Sequence, residues 1–133
     1  MTQGNPAIAI VDDETKMRQA LGRLLRLHDF EVVTFESGDE FLRAPEGAEV
    51  DCVLLDLHFP GETDGFGVLE ALRQRDQRPP VILITAHDQP GNDERARSLG
   101  ASDYLLKPVD ETPLIGAIRR ATGETGHCAE LFG

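Results

Sequence analysis

The stretch Val53-Leu54-Leu55-Asp56-Leu57 constrains this chain more than any other. An apolar run this short, bounded by polar residues, fits a strand buried on both faces, as in a parallel sheet. Its one carboxylate then has a single tolerable place. Burying an unpaired Asp among such neighbours costs several kcal/mol, so Asp56 belongs at the strand's carboxyl end, facing solvent or a cation. In an open α/β sheet, ligands bind at that end.

The rest of the chain supplies the sheet. Ala7-Ile8-Ala9-Ile10-Val11 is a first buried strand, cut off by Asp12-Asp13-Glu14. From Glu14 to about His28, Met17, Leu21, Leu24 and Leu25 fall on one face of a helix. Phe30 to Phe35 reads as a strand, and Ser37 can cap a short helix through about Arg43. Pro45-Glu46-Gly47 is a loop, and Val53 to Leu55 form the central strand. After the turn-rich Pro60 to Gly65, Asp64 can cap a helix through about Gln74. Pro80 to Ile84 is a fourth strand ending at Thr85. A weak helix opens at Pro90-Gly91 and closes at Gly100. Ala101 to Leu106 hold a fifth strand, stopped by Lys107-Pro108. A last helix runs from about Glu111 to Thr122, with Leu114, Ile118 and Ala121 inward. Five alternations without an internal repeat, joined by right-handed crossovers, require a parallel sheet covered by helices on both sides.

Composition removes several function classes. At 133 residues the chain suits one domain. No apolar run approaches the roughly 20 residues of a membrane span, and Met1 to Pro6 lack the regions of a signal peptide. A cytoplasmic location without membrane contact is expected. A formal net charge of -11 makes a poor polyanion binder, since nucleic-acid affinity comes largely from Lys and Arg. There are two lysines, Lys16 and Lys107. Cys52 and Cys128 read as free thiols rather than a disulfide framework.

Four loops leave carboxyl ends of strands on polar residues: Asp12 and Asp13, then Asp56, then Thr85, then Lys107. Each alone has an ordinary explanation as a cap, a turn residue or a solvated charge. Together they do not, because three carboxylates at one edge repel one another unless a cation separates them. Oxygen-only ligands suit Mg²⁺, which keeps several waters and takes one or two carboxylates plus a phosphate. Lys107 adds a point charge for a phosphoryl oxygen, and Thr85 a hydroxyl. That set describes a carboxylate nucleophile for phosphoryl transfer, supported electrostatically.

On Val11-Asp12-Asp13-Glu14, Leu55-Asp56-Leu57 with Pro60-Gly61 and Asp64-Gly65, Ile84-Thr85-Ala86, Gly100 to Leu105, and Lys107-Pro108, the chain resembles the receiver domain of two-component response regulators. The likeness runs from about Ala7 to Thr122, leaving 123–133 as a tail or the start of a linker. It implies a flavodoxin-like, doubly wound sheet in order 2-1-3-4-5 with five helices. It implies a phosphoacceptor signalling domain whose only chemistry is its own phosphorylation and dephosphorylation. Asp56 would take a phosphoryl group from a histidine kinase or phosphotransfer protein. Asp12, Asp13, Asp56 and the backbone carbonyl of His58 would hold Mg²⁺. Lys107 would contact the phosphoryl group, and Thr85 and Tyr104 would form a switch pair. The resemblance further implies a cis Lys107-Pro108 bond. It also allows a homodimer through the fourth helix, fifth strand and fifth helix.

Two features depart from the family's common pattern. The loop from Asp56 to Asp64-Gly65 is one residue longer. His58 and His87 stand two places after Asp56 and Thr85, positions that in the family tune the phosphoryl group's lifetime; the alternative is two loop histidines without chemistry. A haloacid-dehalogenase-like phosphatase needs a second Asp where His58 stands. A flavodoxin-like cofactor binder offers phosphate backbone and hydroxyl donors in its first loop, where Asp12-Asp13-Glu14 here would repel an anion. A receiver used only for docking would not need the intact acidic set. The eleven residues after Thr122 are too short for an effector domain, which leaves a stand-alone receiver or the front of a longer regulator.

Overall fold

Among the residues that the computed structural model describes (5–45, 49–59, 63–76 and 78–123), five strands alternate with five helices. They are β1 Ala7–Val11, α1 Thr15–Leu27, β2 Glu31–Phe35, α2 Gly38–Arg43, β3 Cys52–Asp56, α3 Gly65–Arg73, β4 Val81–Thr85, α4 Asn92–Ser98, β5 Asp103–Leu106 and α5 Glu111–Thr122. The strands form one parallel sheet in order β2-β1-β3-β4-β5, the doubly wound, flavodoxin-like arrangement. Pro60, Gly61, the loop at 46–48 and the tail from 124, including Cys128, lie outside the described residues.

Alternation along each strand divides the interior in two. Val11, Val53, Leu55, Leu83 and Phe41 gather on the side covered by α2, α3 and α4. Ile8, Ile10, Leu54, Ile82, Leu25 and Ile118 gather on the side of α1 and α5. β3 and β4 are buried at every position, which is why their sequences read as unbroken apolar runs. Cys52, free and fully buried, opens β3 among the second set. Burial pushes its thiol up to about 12.

The helix ends follow their sequences. The Ser37 hydroxyl accepts from the Glu40 amide at 3.1 Å, and Asp64 accepts from the Gly67 amide at 2.9 Å. α1 closes with the Asp29 amide donating to the Arg26 carbonyl and the Phe30 amide to Leu25, both at 3.0 Å. That closure places Asp29 at φ 68, the one non-glycine positive φ among the described residues. The same pattern ends α4, with Gly100 at φ 101 and the Ala101 amide reaching the Ala96 carbonyl at 2.9 Å. Ala101 is therefore spent on closing the helix. For that reason β5 starts at Asp103, two residues later than the apolar pattern predicts. On α5, Ile115 and Ala117 join Leu114 and Ile118 in the core, while Ala121 packs at its margin.

Candidate functional site

A parallel sheet puts all its carboxyl ends on one edge. Asp12 follows β1 directly, Asp56 and Thr85 close β3 and β4, and Lys107 follows β5. Pairing of Val11 with Leu55, Asp56 with Ile84 and Thr85 with Leu106 brings these ends level. Asp12 is held from three directions. Its amide donates to the Phe35 carbonyl at 3.1 Å, and its carboxylate accepts from the Glu14 amide at 2.8 Å. Its carbonyl accepts from Arg18 at 2.6 Å. Behind Asp56, Gly65 lets α3 start hard against the strand end. Its amide donates to the Leu57 carbonyl at 2.8 Å, and a Cβ there would sit 2.8 Å from both the Asp56 carbonyl oxygen and Leu57 Cα.

Lys107 Nζ lies 2.9 Å from Asp12 Oδ2 and 3.5 Å from Asp56 Oδ2. Carboxylate oxygens of Asp12, Asp13 and Asp56 all fall within 4.8 Å of one another. Asp12 and Asp56 are only 3% and 8% exposed, whereas Asp13 is open to solvent. Burial raises the Asp56 carboxyl above the usual aspartate range; Lys107 opposes that shift and Asp12 adds to it. Burial also disfavours the Lys107 charge, but the hydrogen bond to Asp12 and the field of both carboxylates outweigh it and raise the amine. One ammonium pairs with two of the three carboxylates. The cluster has oxygen donors only, one member open to water, and charge left for a second cation, so a hard divalent ion fits it.

Thr85 is fully buried, and its hydroxyl accepts from the His87 amide of its own loop at 3.1 Å. Tyr104 is half-buried against the α2–α3–α4 side of the core, with its hydroxyl donating to Asp88 at 2.7 Å. The His58 and His87 rings meet edge to face at 5.7 Å between centroids, and the His58 amide donates to Asp56 Oδ1 at 3.4 Å. The Lys107-Pro108 bond is cis.

The response regulator receiver domain family matches residues 8–119. This chain is a member of that family. The receiver is 36% identical over 126 residues to the uncharacterized transcriptional regulatory protein YkoG of Bacillus subtilis, covering 95% of this chain and 55% of that protein. It is 38% identical over 112 residues to the DNA-binding transcriptional regulator NtrC of Klebsiella pneumoniae, covering 84% of this chain and 24% of that one. The chain thus spans about half, or a quarter, of these curated relatives' length. Among solved structures it resembles the beryllofluoride-activated N-terminal receiver domain of Klebsiella pneumoniae RstA, with TM-score 0.79 and 30% identity, covering 87% of this chain and 97% of that one. Response regulator receivers are signalling domains that partner with histidine kinases, and no described helix here is long and apolar enough to cross a membrane.

The receiver's fold brings Asp12, Asp13, Asp56 and Lys107 into one cluster. Thr85 and Tyr104 share no hydrogen bond with each other among the described residues; each is tied instead to the loop after β4. Two participants escape a reading by spacing. Arg18 fixes the Asp12 backbone from the first turns of α1, and Asp88 meets a tyrosine sixteen residues away. No motif marks either one, since each acts across a tertiary contact.

Proposed function

We propose that Asp56 is the phosphoacceptor of a cytoplasmic two-component receiver. The observation that carries this reading is Lys107 Nζ bridging Asp12 and Asp56 beside a third carboxylate at the sheet's ligand-binding edge. A phosphoryl group passes from the imidazole nitrogen of a histidine kinase or phosphotransfer protein to a carboxylate oxygen of Asp56. The P–N bond breaks, an O–P bond forms, and the imidazole leaves with its electron pair. Lys107 stands where it can neutralise a phosphoryl oxygen. Asp12, Asp13, Asp56 and the His58 carbonyl are the residues assigned to Mg²⁺, which when bound would neutralise charge on the transferring group. His58 and His87 flank the acceptor and are assigned to tuning its lifetime.

Gain of phosphoryl oxygens offers the Thr85 hydroxyl a new partner, and the Tyr104 ring can follow into the space it leaves. Burial of a ring contributes about 1–3 kcal/mol, enough to bias a two-state element. The surface that changes is that of α4, β5 and α5, where Leu106 is 50% exposed. A second copy or an effector is what that surface would meet. Incubation with acetyl phosphate is expected to add one phosphoryl mass in Mg²⁺ and far less in chelator. Asp56→Asn should abolish the addition; equal yield in that variant would overturn the assignment.

A further inference from the structure

The loop between β4 and α4 touches both members of the proposed switch pair. His87 donates its amide to Thr85, and one residue on, the Asp88 carboxylate accepts from the Tyr104 hydroxyl. The phenol is thereby held from the same loop that meets Thr85. α4 itself is lightly anchored. It has seven residues, opens at Gly91 (φ 87) without a side-chain cap, and buries only Ala96.

We infer that Asp88 is a positioning residue, a latch that holds Tyr104 in its unphosphorylated place and so sets how far the free receiver favours the resting state. The inference rests on the phosphoacceptor reading above and adds a residue to it. Inward movement of the ring carries the hydroxyl off the Asp88 carboxylate, and a charge-assisted hydrogen bond is among the stronger contacts to give up. Only a contact present in one state and absent in the other can shift their balance. Tyr104 supplies the ring and Asp88 supplies the restraint. The two effects are separable because Tyr104→Phe removes the hydrogen bond while leaving the ring and the Asp88 charge.

Tyr104 is the chain's one tyrosine, and there is no tryptophan, so intrinsic emission reports on this side chain alone. A phenol bonded to a carboxylate is quenched, and its release brightens it. The experiment titrates the full chain with beryllofluoride in saturating Mg²⁺. It follows tyrosine emission in the native and Asp88→Ala proteins, and melting temperature in these two, in Tyr104→Phe and in the double variant. Native emission should rise on binding, while Asp88→Ala should start bright and change little. Asp88→Ala and Tyr104→Phe should each bind on the order of five-fold more tightly than native. The double variant should gain nothing further over Tyr104→Phe. Gains that add in the double variant would make Asp88 a mere electrostatic neighbour of the pocket and overturn the latch. Unchanged or weaker binding in Asp88→Ala would overturn it too. A native chain that fails to respond to beryllofluoride at all would sink the phosphoacceptor reading, and the latch with it.

Discussion

At the scale of single residues, the site is organised around a charge imbalance. Two buried carboxylates, Asp12 and Asp56, share one lysine, and a third, Asp13, stands beside them. Burial raises the Asp56 carboxyl, so the folded chain binds that proton more tightly than the unfolded chain does. Stability from this group is fully present below the unfolded value and is lost as pH rises through the folded one. At neutral pH, ionised Asp56 therefore costs stability. Without divalent cation, Asp56→Asn is expected to melt higher than the native chain at pH 7, by about 1 kcal/mol. The gap should close as both are brought toward about pH 4. Thermal melts across that range check it, the difference between the two curves being the quantity read. A variant that melts lower throughout would mean that Asp56 is worth more to Lys107 than it costs by burial. Arg18 belongs to the same scale: it donates to the Asp12 carbonyl and ties that backbone to the first turn of α1.

At the scale of elements, local rules and tertiary demands agree almost everywhere, and the exceptions are informative. Asp29 sits at φ 68 because α1 must turn at once into β2, which starts two residues later. Aspartate tolerates that region better than most residues, but glycine is at ease there. Asp29→Gly is expected to stabilise the fold by about 0.5–1 kcal/mol, read as a shift in urea midpoint at constant slope. No shift would mean that the side chain has a compensating role. The strands were legible because β1, β3 and β4 bury nearly every position, so composition alone marks them. Asp64 and Ser37 were legible as caps because their chemistry is local. The start of β5 was not. Ala101 suits a strand by its apolar side chain, yet its amide is needed by the Ala96 carbonyl of the preceding helix. Asp12, Asp13, Asp56, Thr85 and Lys107 could be singled out as polar groups following apolar runs. Asp88 could not, because nothing in its neighbours in sequence announces Tyr104.

At the scale of the whole molecule, the sheet separates what holds the fold from what does the chemistry. Both apolar sets lie on its faces, and the acidic cluster lies at its carboxyl edge. Loops there can move without emptying a core. Cys52 stands at the opposite end of β3, wholly buried, with its thiol pushed up to about 12. A thiol so placed is chemically silent for as long as the sheet stays shut. It can therefore serve as a clock. With Cys128→Ser removing the other thiol, a thiol reagent should modify Cys52 only through openings that break the centre of the sheet. Labelling should be a single slow phase, and slower still when Mg²⁺ and beryllofluoride are bound. A fast phase insensitive to these ligands would reveal a local opening at the start of β3. The residue furthest from any signalling role would then time how long one receiver survives between unfolding events.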